Sequence, residues 1–244
     1  MPIPARYKQN MEKGGISSDI QEKLNQAGVI VMGAGGLGSG VIMNLAALGV
    51  GHIKIVDDGV VQESDLNRQL IHKYNNIGRA RVISAKDWIQ DFNPDIKVEI
   101  EKTRLYELNY LNTIQGYDII IDCFSSLESK YLLNDIALRH KKVLIFGGMQ
   151  AFSGQVTTIF PPKTGCLACV MQKPRLFREE KIATISPVIN VVSAVMAQEV
   201  LKIVGGIGEP LLNKILIFDA LKSEFKVLNY QKNPNCEVCS EVYY

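Results

Sequence analysis

The chain carries almost no net charge: 27 Lys and Arg stand against 25 Asp and Glu, leaving +2 over 244 residues. Such a balance provides no basic face for nucleic acid and no pull towards an anionic membrane, so neither partner is expected. No uninterrupted run of 18 apolar residues is present, and no membrane span is expected. The opening residues, Met1-Pro-Ile-Pro-Ala-Arg-Tyr-Lys8, lack the apolar core of a secretory signal. No internal repeat and no low-complexity tract occurs. A cytoplasmic setting follows as the expectation. Cysteine is scarce, and its number, five, is odd. That argues against a disulfide framework and turns attention to metal binding in a reducing compartment. Hydrophobic residues, at 47%, suffice for a large core. The length suits one large domain or one domain with a satellite.

Residues 1–25 are polar and read as an N-terminal arm with a short helix. Residues 26–244 read as a single domain, with halves at 26–150 and 151–244. In the first half, strand and helix patterns alternate. Strands are expected at 28–32, 53–57, 96–101, 118–123 and 143–146, the last stopped by Gly147-Gly148. Helices are expected at 39–48, 79–92 and 127–140, closed by Gly49, Asn93-Pro94 and His140. After Gly148 the texture changes to an antiparallel-type strand at 155–160 and a charged crossing loop at 172–186. A helix at 188–204 opened by Pro187 follows, then strands at 215–218 and 225–228. The fold class expected is α/β and Rossmann-like. Its largely parallel central sheet is extended by antiparallel strands, with helices on both faces.

Gly33-x-Gly35-x-x-Gly38 follows the first strand and opens the first helix of this pattern. Glycines there let the backbone turn tightly and approach a phosphate, while the helix offers free N–H groups and its positive dipole end. Asp57, at the end of the next strand, stands where an acid binds a ribose. The loop alone does not say which nucleotide. The segment Ser64-Asp-Leu-Asn-Arg-Gln69 does more. A nicotinamide enzyme has no need of an arginine just past the ribose acid. An enzyme attacking the α-phosphate of ATP does, because a fixed guanidinium stabilises charge moving onto pyrophosphate. Asn67 and Arg68 are the candidates.

Cys166-Leu-Ala-Cys169 and Cys236-Glu-Val-Cys239 are two CxxC pairs. Each pair turns two thiolates towards one ion, and four complete a tetrahedron with no open position. Structural Zn2+ stapling a distant C-terminal tail is the expectation. Cys123 closes an apolar strand and reads as a buried, inert thiol. His52, His72 and His140 are scattered and receive no role, and Trp88 with the 83–89 face reads as core.

The chain resembles the ThiF/MoeB/HesA family, relatives of the catalytic core of ubiquitin-activating enzymes. The resemblance rests on Arg6-Tyr7, GAGGLGS from Gly33, LGVGHIKIVD from Leu48, Ser64–Gln69, Ile77-Gly78, Asn93-Pro94, Ile121-Asp-Cys123, Gly154-Gln-Val156 and both CxxC pairs. It implies ATP-dependent adenylation of the C-terminal glycine carboxylate of a small ubiquitin-like sulfur carrier ending in Gly-Gly. Residues 26–150 would then be the nucleotide-binding half and 151–244 the carrier-binding, zinc-bearing half. Gly33, Gly35, Gly36, Gly38, Asp57, Ser64, Asn67, Arg68, Arg81 and Ser125 would form the nucleotide site, with Arg68 and Arg81 catalytic. Arg6 would act in trans in a partner's site, implying a homodimer. A sulfur donor or acceptor protein is a further implied partner, and the thiol-free crossing loop implies direct hand-over of the acyl-adenylate. Three positions depart from the family. Gly59 replaces the second acid of Asp-x-Asp, Arg81 replaces a lysine, and Ser125 replaces an acid that helps hold Mg2+; a neutral hydroxyl is a poorer ligand for a hard cation. Two other readings stay open: a non-catalytic or weakly catalytic module binding a ubiquitin-like protein, and adenylation of a peptide or a tRNA-linked carboxylate.

Overall fold

A computed structural model describes residues 3–105, 110–171 and 182–240. Eight strands form one sheet in the order β3-β2-β1-β4-β5-β6-β7-β8. The first five are β1 (Gly28–Met32), β2 (His52–Val56), β3 (Lys97–Glu101), β4 (Ile119–Asp122) and β5 (Val143–Gln150). They run parallel, with Met32 level with Val56 on one side and Asp122 on the other. β6 (Ser153–Ile159), β7 (Lys214–Asp219) and β8 (Glu224–Asn229) extend the sheet antiparallel. The expected parallel sheet with an antiparallel extension is therefore what the chain forms.

Alternation along each strand sorts side chains to two faces. Val29, Val31, Ile53, Ile55, Ile121 and Ile145 point to one face, into a core shared with α1 (Ser18–Gln26), α2 (Gly36–Leu48), α3 (Arg81–Phe92) and α7 (Ser186–Gly205). Ile30, Met32, Ile120, Leu144 and Phe146 point to the other. That second core is covered by α4 (Tyr110–Ile114), α5 (Leu127–Arg139) and α6 (Leu167–Val170). Local chemistry sets the helix ends. Ser17 and Ser126 cap α1 and α5 by accepting the Ile20 and Ser129 N–H groups. Gly49 and Gly206 close α2 and α7 in the left-handed conformation. The N-terminal arm winds into a 3-10 turn, Ala5–Met11, ahead of α1.

One expectation is corrected. β5 does not stop at Gly147-Gly148 but runs through both to Gln150, paired with β6. The glycines are there for room, since a Cβ on Gly147 would lie 2.2 Å from Met196 Sδ of α7. No correction attaches to α7: 20 residues long, it is apolar enough by length and composition alone to cross a bilayer. Half of it is buried against α1, α2, β5 and β6, so its apolarity serves the core. Of the expected crossing loop, 172–181 lies outside the described residues; Thr184 bridges to Ala151 just before α7.

Candidate active site

The parallel strands β1, β2 and β4 end together, and a cavity of about 450 Å³ opens where they stop. Gly33, Gly35 and Gly36 form its floor. Gly33 has φ of +106°, and a Cβ there would meet the Cys123 carbonyl at 2.8 Å. Gly35, the N-cap of α2, faces open space: only the Gln69 amide comes within 4 Å of a Cβ built there. A ligand atom can therefore approach the backbone at the free N-terminus of a 13-residue helix. Gly38 does not line the cavity. A Cβ on it would fall 1.8 Å from the Gly33 carbonyl oxygen, so its role is the close fit of α2 on β1.

Asp57 lines the cavity with its carboxylate already engaged. One oxygen accepts the Ala34 N–H at 2.8 Å and the other the Gly59 N–H at 2.7 Å. The acid thus ties the glycine loop to the end of β2. Gly59 leaves space for Arg81, since a Cβ there would be 2.9 Å from Arg81 Nη1. Arg68 and Arg81 both line the cavity and both reach Asp65, at 3.3 Å and 2.8 Å. Ser64 and Asn67 do not line it. They hold Arg68 instead, its Nη1 donating to the Ser64 carbonyl at 2.6 Å and to Asn67 Oδ1 at 2.9 Å. Arg6 is elsewhere, donating to the Phe92 carbonyl at 2.9 Å.

Ser125 lines the cavity and is exposed. Among the described residues, the acids near it are engaged elsewhere or face away. Asp122 is fully buried, and both its oxygens lie 3.3 Å from Lys130 Nζ. Asp58 is exposed and paired with Arg104. Glu128, in the first turn of α5, is exposed and outside the lining. Burial pushes the Asp122 carboxyl up from its ordinary range, while Lys130 and the Phe124 N–H pull it back. Burial likewise pushes the Cys123 thiol up, which suits an inert group although it borders the cavity.

Four positions at or beside the cavity received no individual role from the sequence: Asp65, Gln69, His72 and Lys130. Lys130 lies one turn into α5, donates to the Gly147 carbonyl at 2.7 Å and joins β4 to β5 beside the cavity. Gln69 is buried, lines the cavity and leaves its Oε1 without a partner; the buried Nε of Arg81 is also unpartnered. Orphaned buried groups cost about 1–3 kcal/mol each, and a ligand in this cavity is the natural partner for both. His72 Nε2 lies 3.1 Å from the Ala34 carbonyl, which fixes a proton on that nitrogen, and Nδ1 lies 2.8 Å from Ser84 Oγ. Burial holds its pKa below the ordinary 6.5. Asp65 and Gln69 lie inside the quoted Ser64–Gln69 run and His72 just beyond it, whereas Lys130 carried no sequence signal.

The cysteine pairs meet as their spacing predicts. Cys166 and Cys169 Sγ are 4.0 Å apart, and each lies 3.7 Å from one sulfur of the second pair, Cys236 or Cys239. A tetrahedral Zn2+ with bonds of about 2.3 Å sets its sulfurs about 3.8 Å apart, so the four sulfurs fit that ion. The cluster sits in the second core, and the Leu167 N–H donates to Asn134 of α5 at 2.9 Å. The tail is thereby fastened to the same helix that carries Lys130.

Comparison with known proteins places this geometry. Residues 7–238 match the ThiF family. The chain is 34% identical to a sulfur carrier protein adenylyltransferase of Thermus thermophilus, over 97% of this chain and 90% of that protein. It is 33% identical to SAMP-activating enzyme E1 of Haloferax volcanii, over 97% of this chain and 88% of that one. Among solved structures it is similar to E. coli MccB crystallised with ATP, with a TM-score of 0.80 and 26% identity. That match covers 91% of this chain and 69% of MccB.

Proposed function

The chain belongs to the ThiF family, and from that premise we propose that it uses ATP to adenylate the C-terminal glycine carboxylate of a small ubiquitin-like sulfur carrier ending in Gly-Gly. The observation that carries the reading is the one cavity on which the glycine loop, Asp57, Arg68 and Arg81 converge. In the reaction a carboxylate oxygen of the carrier attacks the α-phosphorus. The new P–O bond forms as the bond to the β-phosphate oxygen breaks, and pyrophosphate leaves with the charge. The carboxylate is already an anion, so no general base is needed. The work is positioning and neutralisation. Gly35 and the N–H groups of α2 hold the reacting phosphate, Asp57 the ribose, and Arg68 and Arg81 the departing charge.

A homodimer belongs to the proposal, with Arg6 reaching the partner's cavity, as does structural Zn2+ on the four cysteines and a cytoplasmic setting. The relatives that act as a sulfur carrier adenylyltransferase and as an E1 enzyme support the carrier as acceptor. The test is ATP–pyrophosphate exchange with small Gly-Gly-ending proteins. Exchange dependent on one of them is expected; its absence with all of them would refute the reading. Ser125 and the buried Asp122 favour a second reading, a binding module for a ubiquitin-like protein with little or no catalysis. Tight ATP binding with no turnover would mark it. The likeness to MccB, crystallised elsewhere with MccA, supports a peptide carboxylate as a third acceptor, which the same exchange assay separates by substrate.

A further inference from the structure

Two arginines line the cavity, and one carboxylate holds both. Arg68 comes from the loop after β2, Arg81 from the first residue of α3. Asp65 lies between them, only 2% exposed. Its Oδ1 faces Arg68 Nη2 at 3.3 Å, and its Oδ2 accepts Arg81 Nη2 at 2.8 Å. The same Oδ2 accepts the Gln62 N–H at 3.1 Å, which fixes the carboxylate to its own turn. Two guanidiniums converging on one small cavity repel each other, and a buried anion between them removes that repulsion. It also spends a limited part of each fork. Each guanidinium has five N–H donors, and the buried Arg81 Nε has no partner. Asp57, the other acid near Arg81, is 3.9 Å away and holds two backbone N–H groups. Ser64 and Asn67 hold the other arm of Arg68, and Asp65 is the group that ties Arg81 to it and so sets the two cations relative to each other.

We propose that Asp65 is a positioning residue of the adenylation reaction: it holds Arg68 and Arg81 in the relative orientation that receives the phosphates and the leaving pyrophosphate. This rests on the adenylation reading given above. The role differs from that of a turn cap, which needs only an acceptor oxygen. Asp65→Asn separates the two, because asparagine keeps the acceptor for Gln62 and loses the charge. Removing a negative charge beside a phosphate site leaves anion binding intact or stronger, while the loosened forks serve the transition state less well.

The experiment measures ATP–pyrophosphate exchange and equilibrium ATP binding for the whole chain and for Asp65→Asn, with melting to verify folding. The expected result is an ATP Kd within threefold of the parent and a kcat lower by tenfold or more. In a cycle with Arg81→Gln, Asp65→Asn should cost less than it does in the parent, because one of the two cations that Asp65 holds is gone. Unchanged kcat in Asp65→Asn, or losses that multiply in the double variant, overturns the proposal. If Asp65→Asn melts below the assay temperature, Asp65→Glu poses the same question, keeping the charge while moving the carboxylate off the position that both guanidiniums share. The same fall in kcat at constant Kd is expected, and full activity overturns it. Absence of exchange in the parent with every carrier sinks the adenylation reading and this proposal together. Normal exchange in the parent and in Asp65→Asn sinks this proposal alone.

Discussion

Replacing Lys130 with methionine keeps much of the side chain's volume and removes its charge. Asp122 is then left fully buried, with the Phe124 N–H at 3.1 Å as its remaining donor. Breaking a buried ion pair from one side costs about 3–5 kcal/mol. The protein has a cheaper escape: Asp122 takes up a proton. For a carboxyl of ordinary pKa about 3.9, holding a proton at about pH 7 costs about 4 kcal/mol, at about 1.4 kcal/mol per pH unit. That caps the charge-related loss near 4 kcal/mol at neutral pH. The sign follows from proton counting. The variant's folded state has a raised Asp122 pKa and binds more protons than the unfolded state, so its stability rises as pH falls. Burial already raises Asp122 in the parent and losing Lys130 raises it further, so the deficit against the parent should shrink as pH falls, by at most about 3 kcal/mol between about pH 7 and pH 5. Paired urea melts of parent and Lys130→Met across that window measure it, and a chain of this size shifts its Tm by about 2–4 °C per kcal/mol. Adding Asp122→Asn should recover most of the loss at neutral pH. A deficit that is the same at both pH values, or smaller than about 1 kcal/mol at pH 7, would refute the reasoning.

Arg68→Ala should lower exchange by about 10²–10³-fold, the usual effect of deleting one charge-stabilising donor, with an unchanged melt; retained activity would remove Arg68 from the site. Cys239→Ser, or treatment with a strong Zn2+ chelator, should free the tail and lower Tm, and a melt insensitive to both would show that the cluster holds no structural metal. His72, held below its ordinary pKa by burial, should contribute stability fully above about pH 6.5 and lose it as the pH falls below that value, because the unfolded chain protonates first. His72→Gln should flatten the parent's decline in stability between about pH 6.5 and 5, and an identical decline in both would exclude this origin.

The parallel half of the sheet was legible because its central strands are apolar runs bounded by turn residues and its edge strand β3 alternates, and the Gly33–Gly38 spacing marked where its ligand end lies. The cysteine cluster was legible for a similar reason, since CxxC is local chemistry repeated. What escaped was chemistry that exists only between elements. Gly147-Gly148 looks like a stop in one dimension; it is a strand thinned to admit Met196. Lys130 looks like a solvated helix residue, yet it is 5% exposed because Asp122 and the Gly147 carbonyl are waiting for it. Asp65 is one acid in a polar turn until α3 delivers Arg81 to it. Ser64 and Asn67 show a contact no residue type announces: the Ser64 backbone carbonyl and the Asn67 side chain both accept from Arg68.

The placement of α7 bears on how the chain is made. The elements it packs against most, α1, α2, β5 and β6, precede it in the sequence. When this greasy segment leaves the ribosome, its resting place has already been synthesised. Substitutions that slow assembly of the earlier strands would therefore leave a bilayer-compatible stretch waiting in the open. Their harm should show as misrouting or clumping of newborn chains well before the finished molecule loses any stability.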